Sequence, residues 1–464
     1  MNRPNGPNGP NRLSRPNGPS RLSSPNRPLR VLLGASVLAN TGDGVLRTGL
    51  LLVVAHLTGS VGASSLVMAV TTLPWLLFGI PAGMLADRTG RKASMVAADG
   101  ARAVLVLAIG AAAWAGVRSL PLLLGLAFLV GVAETVFNTS SETVLPTVVP
   151  AAELARANGQ LATTVRVTGQ FVAPALAGWL TALAVPVTFL VAGAGYLGSM
   201  LRLTALPRDV GRVPPPAPPA EEVEDVEDVE DAERVRRVRP WTGLVFLARH
   251  RALRVITLAG VLTTLANTSF LALFVVYATT GPLRLGDAGY GVLLSSVGVG
   301  TAVGSLTAHR AERRFGGAPV LCATRFGWGL VFVAPVFLRG VPLFAAMTVG
   351  SCLGGMWGVL TVTLRQRLTP PEVRGAVGGA YRAVIMSAMP AGAAVGLLLE
   401  GLLLEGLLGT PGTFLLFGAA MVVLAVPVWR AVTPEGVAGA RPGTAEERAG
   451  RHPRTRSRAA RSGQ

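Results

Sequence analysis

The chain has 464 residues, of which 50% are hydrophobic and only 14% charged, and its formal net charge is +18. A soluble globule has no interior large enough for so much apolar side chain, so the composition excludes that class and points to a protein embedded in a bilayer. The positive balance does not mark a nucleic-acid binder, because the bases sit in tails and short loops and form no stripe interleaved with aromatics.

Residues 1–30 hold Pro, Asn, Gly and Arg without an apolar run. No cleavable signal peptide is expected there, only a disordered cytoplasmic tail, with the first span serving as its own insertion signal. Apolar stretches near the length of about 20 residues that crosses a bilayer then follow in two sets of six. The first set falls at 31–56, 63–83, 94–116, 119–141, 158–183 and 185–205. Residues 206–252 break the pattern with a Pro-rich run, an acidic Glu-Asp-Val repeat and an Arg-rich run, the composition of a solvated, disordered tether. The second set falls at 253–279, 288–308, 318–338, 341–363, 377–404 and 411–431, and a basic tail occupies 432–464. The predicted fold is all-α: about twelve transmembrane helices in two pseudo-symmetric six-helix bundles, 31–205 and 253–431.

Placing the amino terminus in the cytoplasm puts Arg88, Arg91, Lys92, Arg156, Arg310, Arg313, Arg314, Arg365, Arg367 and Arg374 in cytoplasmic loops, against Arg118, Arg284 and Arg339 outside. That asymmetry satisfies the positive-inside rule, so both tails and the tether are expected in the cytoplasm. The halves also look duplicated. Gly83 and Gly304 are offset by 221 residues, and Arg166 with Pro174 is spaced as Arg382 with Pro390, an offset of 216 for both.

The only lysine, Lys92, is followed by Ala93, so a phosphate-cradling G-x-x-x-x-G-K-[ST] loop is absent. A transporter made of this chain is expected to use an ion gradient or run downhill. Cys322 and Cys352 are far apart in predicted spans, and His56, His250, His309 and His452 lack metal-ligand spacing. No cofactor, metal site or enzymatic activity is expected.

Ionisable groups inside spans are costly and are functional candidates by default. Asp43 has Arg47 four residues on, so it either exchanges a proton or is that arginine's standing partner. Glu134 has no base at helical spacing in its own span, and it either exchanges a proton or pairs with Arg166 across helices. Arg102, Arg325 and Arg382 are expected to snorkel, with Asp99 and Arg102 a local pair. Gly169, Pro174 and Gly178 mark a bend with small-residue packing in the fifth span.

Gly83-Met-Leu-Ala-Asp87-Arg88-Thr-Gly90-Arg91-Lys92 joins spans 2 and 3. It resembles the signature loop of the major facilitator superfamily, G-x-L-A-D-R-x-G-R-K. The resemblance implies alternating access around a central cavity lined by spans 1, 4, 7 and 10. It also implies a gate in which Asp87 docks near Arg374 and Gly375 when the protein faces outward. Residues 169–178 are similar to the G-x-x-x-G-P-x-x-G-G motif of antiporters and drug exporters in that superfamily, with Ala173 and Ala177 in place of two glycines. Asn-Thr-Gly-Asp-Gly in span 1 and the loops after spans 4 and 10 resemble the branch containing enterobactin exporters and macrolide efflux proteins. Ala308 stands where the second half would repeat Asp87, which leaves Glu312 as the acid for any second gate. The expected activity is proton-driven export of a small hydrophobic or amphipathic compound by a monomer in the cell membrane, with protons, the substrate and lipid as its partners. Import or facilitated diffusion by the same fold is the alternative, and a non-transporting membrane scaffold the third reading.

Overall fold

The computed structural model describes residues 27–150, 153–207, 242–370, 373–398 and 409–432, which are helical almost throughout. The first half comprises α1 (Arg27–Thr58), α2 (Val61–Thr89), α3 (Arg91–Trp114), α4 (Leu120–Val148), α5 (Leu154–Val165), a π-helical segment (Arg166–Val172), α6 (Ala173–Leu183) and α7 (Val185–Thr204). The second comprises α8 (Thr242–Arg249), α9 (Arg251–Thr279), α10 (Gly286–Phe315), α11 (Gly317–Phe337), α12 (Gly340–Leu368), α13 (Arg374–Leu398) and α14 (Gly409–Val432). Ten of these helices are long and apolar enough to cross a membrane on length and composition. The unbroken path from α5 through the π segment to α6, together with α13, brings the crossings among the described residues to the predicted twelve. Trp114, Leu306, Val341 and Val423 stand exposed, as suits side chains covered by lipid tails and not by water. The acidic and Pro-rich tether and both tails lie outside the described residues.

The charged knots are more helical than their composition predicts. α2 runs through Thr89, α3 starts at Arg91, and Gly90 alone turns the chain, at φ +88°. Gly316 does the same between α10 and α11 at φ +87°. One residue at positive φ is the shortest break available to a helix, and glycine adopts it without steric cost. The matching device in both halves adds a structural argument for duplication. Lys92 donates to the carbonyls of Thr204, at 3.1 Å, and Leu206. It thereby covers the unpaired carbonyls and negative dipole end of α7.

The tether ends earlier than its composition indicates. Residues 242–249 form α8, whose buried face is Gly243 and Leu247. A Cβ on Gly243 would meet the Ala376 carbonyl of α13 at 2.1 Å, so the close approach of these two helices requires glycine.

An even number of crossings leaves Arg27 and Val432 at one end of the body, the terminal end. At the opposite, distal end the bundles are pressed together. A Cβ on Gly178 of α6 would lie 2.3 Å from the Asp287 carbonyl of α10, and one on Gly396 of α13 would lie 3.1 Å from Ser65 Oγ of α2. His56 Nε2 of α1 and Asp287 Oδ1 of α10 are 3.0 Å apart across the same seam. Toward the terminal end, Gly159 of α5, Gly358 of α12 and Gly375, Gly378 and Gly379 of α13 border open space. The close glycine contacts and the His56 and Asp287 pair therefore close the body distally.

Candidate functional site

The fifth crossing owes its shape to Pro174. Proline has no N–H and crowds the carbonyl four residues back, here that of Gln170. The chain relieves the clash by winding as a π-helix over Arg166–Val172, with Ala173 N–H bonding to Thr168 O. The freed carbonyl row faces α10. Ser295 Oγ donates to Phe171 O at 2.6 Å, and a Cβ on Gly298 would sit 2.1 Å from Gln170 O. On the other side Gly44 of α1 would meet Gly169 O at 2.7 Å. Pro174 and Gly178 thus lie where one bundle bears on the other, Gly169 packs on α1 within its own bundle, and Pro174 bends the span through a π segment that its sequence pattern did not reveal. Gly178→Val is expected to hold this seam open. A cysteine at Ser295 would then react with an impermeant maleimide added from the distal side, whereas in the parent chain it would not. Equal reactivity in the two chains would remove the seam from the mechanism.

Inside the first bundle, α1, α3 and α4 bring five charges together against Tyr196 of α7. Arg102 of α3 is fully buried, which corrects the expectation that it snorkels. It lies 11 residues into its helix, about 16 Å at 1.5 Å per residue, beyond the reach of an extended side chain to the interface. Its Nη1 donates to Asp43 Oδ1 at 2.8 Å and its Nη2 to Asp99 Oδ1. Its guanidinium carbon lies 4.4 Å from the Phe137 ring centroid and 4.6 Å from that of Tyr196. Tyr196 also donates its hydroxyl to Asp43 Oδ1 at 2.7 Å. The planar fork of arginine suits this arrangement, bonding in its plane and stacking above and below it.

Two pairings differ from those read along the sequence. Asp43 is not held by Arg47, its neighbour one turn on, but by Arg102 and Tyr196. Arg47 reaches across to α4, where its Nη2 lies 3.4 Å from Glu134 Oε1. Arg166, the cross-helix partner expected for Glu134, makes no ion pair among the described residues. Helical spacing places side chains on a common face without fixing which neighbouring helix that face meets.

The two ion pairs differ in quality. The Arg102 pairs are dry and bidentate in effect, whereas Arg47 is 54% exposed and touches Glu134 through one long contact. Asp43, Arg47, Thr71 and Glu134 line a small cavity of about 20 Å³ between α1, α2 and α4, enough for one water molecule. Three carboxyl groups face two guanidiniums, which stay charged under all ordinary conditions. One carboxyl is therefore in excess, and Glu134 is the least firmly held.

The side chains of Gly83, Asp87 and Arg88 lie outside the described residues, and so does any gate contact made by Asp87. Glu312, the acid left for a second gate, accepts from Arg367 Nη1 at 3.1 Å within its own bundle. Arg325 is fully buried and does not snorkel either.

The sequence model of the Major Facilitator Superfamily matches residues 32–386. No curated protein matches the sequence. Among solved structures, a POT family transporter bound to a thioalcohol-conjugated peptide is 13% identical, with a TM-score of 0.66 over 87% of this chain and 96% of that one. The nucleoside transporter NupG is 15% identical, with a TM-score of 0.62 over 87% and 98%. A bacterial homologue of the iron transporter ferroportin, solved in an inward-facing state, is 14% identical, with a TM-score of 0.65 over 87% and 98%. At these identities the likeness is one of fold.

Proposed function

The chain belongs to the Major Facilitator Superfamily, and from that premise we propose that it is a proton-driven exporter of a small hydrophobic or amphipathic compound, working by alternating access in the cell membrane. The observation that carries the coupling is the excess carboxyl of the α1, α3, α4 and α7 cluster. A proton arriving at Glu134 leaves both Arg102 pairs intact and releases Arg47, which sits on the accessible side of the same cavity. Protonation is then linked to the position of α1 against α4 without disturbing the bundle's buried frame. The π segment, nested between α1 and α10, is the joint at which that change passes to the second bundle. Export as the direction rests on the likeness of residues 169–178 to the antiporter motif.

With the termini in the cytoplasm, as loop charge indicates, the terminal end faces inward and the distal seam faces outward. Single cysteines at Asp225 and Gly340 test this orientation. An impermeant reagent added to intact cells should modify only position 340, and labelling at 225 would reverse the topology. Export itself is tested by a panel of drugs and metabolites in an efflux-deficient host. Expression should lower cellular accumulation of at least one compound in a manner abolished by a protonophore. Raised accumulation would make the protein an importer.

A further inference from the structure

The second bundle repeats the Arg102 arrangement with its acids removed. Arg325 follows Arg102 by 223 residues and is likewise fully buried. Trp357 follows Phe137 by 220 and lies 3.8 Å from the Arg325 guanidinium, taking the place of that ring. The position 220 after Asp43 is Thr263, and the position 223 after Asp99 is Cys322. Thr263 Oγ1 spends its proton on Ala259 O at 2.6 Å and offers a lone pair to Arg325 Nη1 at 2.6 Å. Arg325 Nε reaches Thr324 Oγ1 at 3.3 Å. Its Nη2 is buried with no hydrogen-bond partner among the described residues.

A second guanidinium lies close by. Arg365 of α12 stacks on the Tyr381 ring of α13 at 4.0 Å, and its Nη1 is also buried without a partner. Tyr381 is an electrostatic neighbour of Arg325 as well, so the two arginines share it. A Cβ on Gly260 of α9 would meet Ile385 Cδ1 at 2.9 Å and the Tyr381 hydroxyl at 3.2 Å, so α9 packs closely on α13 here. No described carboxylate pairs with either arginine. Two hydroxyls and an indole face do not replace the hydration of a buried guanidinium, and unpaired donors in a dry interior call for an acceptor.

We propose that Arg325 Nη2 and Arg365 Nη1 bind one small monoanionic group in the second bundle, between α9, α11, α12 and α13. The group is a free anion such as chloride or the carboxylate of the transported compound. The halves then divide the electrostatics: the first carries internal acids for its arginines, and the second takes its counter-charge from outside. The ligand chemistry is independent of the direction of transport, and only the carboxylate source rests on the transporter reading.

The test uses the full-length protein purified into nanodiscs, with gluconate replaced by chloride or by acetate at constant pH and ionic strength. The thermal unfolding midpoint should rise saturably with at least one of the two. A response to chloride assigns the site to a free anion, and a response to acetate alone assigns it to a carboxylate. Arg365→Gln alters a partly buried side chain and leaves the Arg325 contacts in place, so it should fold and raise the half-saturating concentration by about tenfold or more, as loss of one charge-assisted hydrogen bond implies. Thr263→Asp gives Arg325 the internal carboxylate that Asp43 gives Arg102, and it should abolish the response. A wild-type midpoint indifferent to both anions, or a response undiminished in both variants, would overturn the site. Because binding is read without transport, its failure is distinct from a failure of the accumulation panel.

Discussion

Arg102→Gln is expected to lower the stability of the first bundle by about 3–5 kcal/mol, the cost of leaving a buried charge without its partner. The size of the effect follows from what the guanidinium holds. Both Arg102 and Asp99 have no exposed surface, and Asp43 retains little. Removing the positive centre leaves two carboxylates facing a Phe137 and Tyr196 sandwich that presents no replacement charge. Arg102→Lys should fare little better, because an ammonium cannot bond to two acids in one plane while stacking between two rings. The triple variant Asp43→Asn, Asp99→Asn, Arg102→Met removes the charges together and should recover much of the loss, since replacing a whole buried ion cluster is often close to neutral. Thermal unfolding of each purified variant reads the result. An Arg102→Gln midpoint equal to the parent's would mean that the cluster contributes nothing to the fold.

The sequence shows the crossings because a bilayer demands long apolar runs and backbone hydrogen bonds closed within each helix. It also shows the halves as repeats, since Gly83 with Gly304 and Pro174 with Pro390 keep nearly the same spacing. Partner choice is a different kind of information. Asp43 and Arg47 share a helical face, yet α3 and α7 arrive on one side of that face and α4 on another, so the two residues go to different partners. The depth of Arg102 and Arg325 was nevertheless within reach. Their common offset of 223, with Asp99 and Cys322 three residues before them, marks them as one structural position used twice, a weaker fit to two independent snorkelling side chains. The π segment was not foreseeable from Pro174 alone, because a proline kink is also met by simple loss of one bond. What selects π winding here is the packing of Gly298 and Ser295 on the freed carbonyls, a contact 124 residues away along the chain.

Glu134→Gln is expected to abolish gradient-driven transport while leaving the protein folded and able to exchange substrate downhill. Glutamine keeps the size and hydrogen-bonding reach of the carboxyl but cannot take up or release a proton. The fold should survive because Glu134 is bound through one 3.4 Å contact to a half-exposed arginine, which contributes little to stability. Asp43→Asn should show the opposite balance. It weakens the charge-assisted bond to Arg102 and alters the acceptor for Tyr196, so the unfolding midpoint should fall before coupling is tested. Proteoliposomes carrying each variant, assayed with and without an imposed pH gradient, separate these outcomes. Transport by Glu134→Gln that still rises with the gradient would take the proton site away from Glu134. If Asp43→Asn then proved stable and uncoupled, the proton would belong to Asp43, and the Arg102 pairs would be part of the transport cycle in place of its fixed frame.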